Sequence, residues 1–170
     1  MKRTLLALSI LATALVAQAA PEYFPLQLAI CPPVQLMPET TDIVGFKFNL
    51  PYGQNDFVRG FDLGIVGGAT DCEAFQLNLF NVVPGTATGI SVGLFNLLGN
   101  AEGIHVSLMN YVEEECQGMQ VGLLNVAHIV TGLQVGVVNH CNKLYGMQIG
   151  LANVATEAPL PFTVLVNATF

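Results

Sequence analysis

The chain has 170 residues, 52% of them hydrophobic and only 10% charged, with 5 basic against 12 acidic side chains and no tryptophan. That length suits one domain with a sizeable core. The acidic balance speaks against nucleic acid and anionic membrane surfaces as partners, since both are bound by Lys and Arg that neutralise phosphates.

At the start of the chain Lys2 and Arg3 precede an apolar run from Leu5 to Val16 and the small triplet Ala17-Gln18-Ala19. This is the order of a cleavable secretory signal over residues 1–19, with cleavage expected before Ala20. The run is well short of the roughly 20 residues a membrane-spanning helix needs. Processing would leave Lys47, Arg59 and Lys143 against twelve carboxylates, a formal charge of −9.

Residues 20–59 read as an N-terminal capping region. They carry two degenerate copies of a short phrase, Pro25-Leu-Gln-Leu-Ala-Ile30 and Gly45-Phe-Lys-Phe-Asn-Leu50, separated by a stretch with Pro32, Pro33 and Pro38. Terminal repeats of a stacked array are usually atypical because one face has no neighbour. Proline there discourages further strand pairing.

Residues 60–160 form the regular array, with copies starting at Gly60, Ala74, Gly89, Gly103, Gly118, Gly132 and Gly146 at steps of 14 or 15. The phrase is clearest in Gly118-Met-Gln-Val-Gly-Leu-Leu-Asn125, Gly132-Leu-Gln-Val-Gly-Val-Val-Asn139 and Gly146-Met-Gln-Ile-Gly-Leu-Ala-Asn153. With the start numbered zero, positions 1, 3 and 5 are apolar, as in Met119, Val121 and Leu123, or Phe75, Leu77 and Leu79. Alternation of this kind predicts a strand with its apolar face inward. Position 2 (Asp62, Gln76, Ser91, His105, Gln120, Gln134, Gln148) and the small or polar position 4 are then expected to face outward. The parity switch before position 7 predicts a corner there, built on Asn, which tolerates left-handed backbone angles. Two residues before each start, Val58, Cys72, Ala87, Ala101, Cys116 and Val130 suggest a second inward segment. Residues 84–86 and 113–115 read as loop tips, and residues 161–170 as a C-terminal degenerate repeat or cap.

All copies are written alike, whereas an antiparallel meander would give odd and even copies different turns. The expected fold is therefore an all-β repeat solenoid of 14- to 15-residue coils, with a small up-and-down outer-membrane β-barrel as the alternative. Parallel coils about 4.8 Å apart would align amides into ladders along the stack. The expected ladder residues are Gln76, Gln120, Gln134 and Gln148, and Asn81, Asn96, Asn110, Asn125, Asn139 and Asn153.

The phrase G-x-Q-x-G-x-x-N resembles that of the bacterial surface-repeat-containing proteins, over about Pro25 to Asn167. Asp62, His105 and Thr163 stand where the pattern has Gln. The resemblance implies a cell-envelope location (periplasm, outer membrane or cell surface) and brings no catalytic residues.

The residues themselves suggest little chemistry. Cys31, Cys72, Cys116 and Cys141 fall in non-adjacent coils, and the inward column shared by Cys72 and Cys116 suggests small buried thiols. His105, His128 and His140 occupy three columns without a second ligand at metal spacing. Ser91 and Ser107 are expected on the outer face with His105, without a carboxylate to orient the imidazole. Glu113, Glu114 and Glu115 read as a solvated tip. No catalytic residue, metal or cofactor is expected. The function expected is noncatalytic, structural or adhesive, with an envelope protein or glycan as partner; membrane insertion belongs to the barrel alternative.

Overall fold

The computed structural model describes residues 22–169. The expected signal over residues 1–19 and the terminal Phe170 lie outside the described residues. Within them the regular elements are strands: β1 (Tyr23–Cys31), β2 (Val34–Gln35), β3 (Asp42–Val92), β4 (Phe95–Val106), β5 (Met109–Val121), β6 (Leu124–Val135), β7 (Val138–Cys141), β8 (Lys143–Ala155) and β9 (Phe162–Thr169).

Successive copies pair in parallel and in register. Gly89 lies opposite Gly103, Gly103 opposite Gly118, Gly118 opposite Gly132 and Gly132 opposite Gly146. Each copy is thus one coil of a β-solenoid, and the parallel direction removes the up-and-down barrel. Register shifts fall between Val83 and Thr86, Leu98 and Ala101, and Val112 and Glu115. The tips absorb the one-residue difference between 14- and 15-residue copies, while the flanking positions stay aligned.

The start glycines make the close stacking possible. Gly118 has φ +133°, and a Cβ built on it would lie 2.2 Å from the carbonyl oxygen of Gly103 in the coil before. A side chain there would meet backbone, which cannot give way cheaply, in a region of φ that L residues rarely adopt.

The assignment of faces is the reverse of the one expected from alternation. Gln76, Gln120, Gln134 and Gln148 point into the coil and are 0 to 1% exposed; Asp62, Ser91, His105 and Ser107 are buried beside them. Phe75, Leu77, Leu79, Ile90, Leu94, Leu123 and Leu151 face outward, Leu123 with 57% of its surface accessible. Met119 and Val121, also expected inside, are only half-buried. The physical reason is the register of the stack. Interior polar groups need partners, and a primary amide carries both donor and acceptor. A parallel stack sets each amide beside its counterpart in the next coil.

The Asn column is corrected too. Asn81, Asn96, Asn110, Asn125, Asn139 and Asn153 are fully buried, and positive φ falls on the start glycines instead. The bend lies at positions 4 and 5, as at Gly93-Leu94, Ser107-Leu108, Gly122-Leu123 and Gly136-Val137. There the backbone still bonds from coil to coil, with Leu123 N–H donating to Leu108 O at 3.0 Å and Val137 N–H to Leu123 O at 3.0 Å.

Across the coil from the amides runs an apolar half of the core. It stacks Val58, Cys72, Ala87, Ala101, Cys116, Val130 and Leu144 against Ala69, Val83, Leu98, Val112, Ala127, Cys141 and Ala155. The second inward segment expected from the sequence is therefore present. Each Val or Leu buried there contributes about 1.5–3 kcal/mol.

The two ends differ from the middle. β1 pairs in parallel with β3, and β2 folds back antiparallel on β1. At the other end β9 runs antiparallel to β8, so the copy expected at Pro161 reverses direction and adds no further parallel coil.

Candidate functional site

The chemistry-bearing side chains gather inside the coil, in two polar columns. In the first, each Asn amide donates to the next along the stack: Asn81 to Asn96 at 2.8 Å, Asn96 to Asn110 at 2.8 Å, Asn110 to Asn125 at 2.9 Å, Asn125 to Asn139 at 2.8 Å and Asn139 to Asn153 at 2.8 Å. The second N–H of these amides reaches a main-chain carbonyl, as Asn125 does to Val135 O at 2.9 Å and Asn139 to Ile149 O at 2.9 Å. The side chains thereby pin the bend at positions 4 and 5 to the strand beyond it.

The second column occupies position 2. Its C-terminal stretch is a Gln ladder, with Gln134 donating to Gln120 at 2.6 Å and Gln148 to Gln134 at 2.8 Å. Asn167 of β9 closes it by donating to Gln148 at 3.4 Å. Gln76 lies outside that ladder: it donates to Asp62 Oδ2 at 3.4 Å and accepts from the Ser91 hydroxyl at 2.9 Å.

Toward the N-terminus the column becomes charged. Lys47 and Asp62 occupy position 2 of successive copies, and both are fully buried. The Lys47 ammonium donates to the carbonyl of Gly68, and Asp62 accepts from the Asn49 amide as well as from Gln76. Burial pushes the Lys47 amine below its ordinary value, against the attraction of Asp62. Burial likewise pushes the Asp62 carboxyl up, opposed by Lys47 and by the bonds from Gln76 and Asn49. Each group is moved toward its neutral form, as desolvation requires. The sequence conceals the pair because the copy at Gly45 reads as a cap. Register gives it away, since Lys47 and Asp62 both stand where later copies have Gln.

His105 interrupts the column between Ser91 and Gln120. It is buried, not outward as expected, and both ring nitrogens lack a partner; so do the Gln120 amide nitrogen and the Ser107 hydroxyl. Burial lowers the imidazole to about 4. The expected outward Ser91 and Ser107 are buried as well, so neither meets solvent. His128 is exposed and His140 half-buried on other columns. Among the described residues no group of three or more His, Cys, Asp or Glu gathers in a way that could hold a metal ion.

Cys72, Cys116 and Cys141 are buried in the apolar half, each pushed up to about 12, chiefly by burial; Cys31 is exposed. Near the N-terminal end a groove of about 460 Å³ is lined by Leu28, Ile30, Val34, Leu36, Phe48 and Leu50. It presents no titratable side chain.

The arrangement therefore buries Lys47, Asp62, Ser91, His105 and Ser107 inside the coil and presents many apolar side chains to the outside. Comparisons with family models, with characterised proteins and with solved structures returned no match.

Proposed function

We propose that the chain is a noncatalytic, exported repeat protein of the cell envelope, with a structural or adhesive role exercised through its outer surface. The observation that carries this reading is the fate of the recurrent polar residues. Gln120, Gln134, Gln148 and the Asn column spend their hydrogen bonds on one another inside the coil, which gives them a structural task and leaves activity to the exterior. The resemblance of the G-x-Q-x-G-x-x-N phrase to surface-repeat proteins supports the envelope, as does the leader-like order of residues 1–19. An envelope protein or glycan suits the binding role; the acidic balance disfavours nucleic acid.

Fractionation of a bacterium producing the full chain, with intact-mass analysis, tests this. The expected product begins at Ala20 and fractionates with the periplasm, the outer membrane or the cell surface. A cytoplasmic product retaining residues 1–19 overturns the reading.

A further inference from the structure

We propose that the bend at positions 4 and 5 is a lipid-contacting edge, which sinks into the hydrocarbon of a zwitterionic bilayer while the opposite flank of the coil stays in water. The inference rests on the reading of the chain as a noncatalytic scaffold acting through its exterior, and it names the partner of that exterior.

The edge is apolar on both sides of the bend. Its tip is a column of Leu79, Leu94, Leu108, Leu123, Val137 and Leu151, all more than a third exposed. On one side of the tip lie positions 1 and 3, with Phe75, Ile90, Ile104 and Ile149 among their exposed members. On the other side lie positions 6 and 8, with Phe80, Leu97 and Val138 exposed; Tyr111 and His140 at position 8 are where polar atoms first appear. Eight levels from Leu50 to Leu151, about 4.8 Å apart, make this edge about 34 Å long.

Three features select lipid as the occupant. The apolar surface is convex and turns a corner, so one flat protein face covers only one side of it, whereas hydrocarbon covers both. Positions 1, 3 and 5 from Gly45 onward hold no hydrogen-bonding side chain, and so offer a specific protein partner none of the polar contacts that usually rim such an interface. The charges sit on the flank away from the bend, where Glu73, Glu102, Glu113, Glu114 and the Arg59–Glu73 pair are exposed. That segregation is the amphipathic pattern of elements that lie about 5–10 Å deep in an interface. At the bend, main-chain groups bond from coil to coil, so immersion brings few unpaired donors into lipid. The acidic excess repels anionic headgroups, which leaves zwitterionic lipid as the fitting surface. Lipid contact thus needs no closed barrel.

The absence of native tryptophan gives a clean reporter. The full chain carrying Leu108→Trp is mixed with phosphatidylcholine vesicles, with and without bromine on the acyl chains; Gln117→Trp, on the charged flank, is the control. The expected result is a blue shift of Leu108→Trp emission on adding vesicles and its loss in brominated vesicles, with Gln117→Trp unchanged. Leu123→Trp, somewhat more exposed at the next level, repeats the test should the first variant fail to fold. Unquenched emission from the edge overturns the proposal, and so does an edge reporter already blue-shifted in a lipid-free dimer, which would mean that a second copy covers it. The reporter reads the edge alone, so a vesicle contact made elsewhere in the chain leaves it unquenched. A failed quenching result leaves the envelope reading standing, because fractionation decides that separately.

Discussion

Two stretches of the position 2 column, from Lys47 to His105 and from Gln120 to Asn167, sit in the same coil geometry and behave differently. In the C-terminal stretch amide stacks on amide, and Gln134 and Gln148 are each at once the donor to one neighbour and the acceptor from the other. In the N-terminal stretch the residue type changes at nearly every level, from Lys47 to Asp62, Gln76, Ser91 and His105, and each must find its own partners. A uniform column satisfies itself at any length. A mixed one concentrates titratable groups and ends at His105 with unpaired atoms.

The strongest way to test the contrast is to remove a charge. Asp62→Leu strips the Asn49 and Gln76 amides of their acceptor and leaves Lys47 buried without its counter-charge. A loss of about 3–5 kcal/mol in chemical denaturation is expected, because two buried amides lose their acceptor at about 1–3 kcal/mol each and the buried Lys47 amine loses the attraction of a nearby carboxylate. Gln134→Leu removes the acceptor of Gln148 and the donor to Gln120. It should cost about 2–3 kcal/mol, on the scale of buried polar groups left unsatisfied. If Asp62→Leu proves the milder of the two, the stretches do not differ as described.

A substitution at the interruption should act the other way. His105→Gln extends the uniform ladder and offers the Gln120 amide nitrogen an acceptor, for a gain of about 1–2 kcal/mol. It should also remove a pH effect. The folded imidazole is lowered to about 4 from an ordinary 6.5, so between those values the unfolded chain binds a proton that the folded chain does not. The stability owed to neutral His105 is therefore complete above pH 6.5 and lost as pH falls toward 4. The native chain and His105→Gln should diverge progressively over that window; parallel stability curves would mean the ring is not buried as a neutral group. The smallest effect concerns the apolar half, which is common to both stretches. In the folded chain Cys31 should react quickly with a thiol reagent at pH 8, with Cys72, Cys116 and Cys141 reacting only on denaturation. A rapid second thiol would show that this half opens in one of the stretches.

Much of the architecture was legible in the sequence. The 14- and 15-residue steps predict parallel coils, the tips at residues 84–86 and 113–115 fall where the register shifts, and the inward column of Cys72 and Cys116 lies where spacing put it. The faces were not legible by the rule that apolar residues go inside, because that rule assumes a buried polar group lacks partners, and here most amides find one in the next coil. A better signal lay in the copies themselves. Positions 1, 3 and 5 accept Met, Ile, Leu, Phe and Val in turn, as a surface that only has to be apolar would. Position 7 is Asn in six of the seven regular copies and position 2 favours Gln, as a column that must hydrogen-bond to its own kind would. The charged end of the column was hidden for a related reason: Lys47 reads as an exposed residue on a terminal repeat until it is aligned with Asp62 and Gln76.

β9 bears on how long such a molecule can be. By running antiparallel it covers the last coil and supplies Asn167 to the final Gln148, so the stack ends on a piece that cannot be continued by another coil of the same kind. Upstream of that stop, the coils that start at Gly118, Gly132 and Gly146 meet one another through nearly the same bonds. Rod length is then a free variable of the gene: duplicating or deleting one copy would change the reach of the molecule by about 4.8 Å while both ends and all remaining contacts stay as they are.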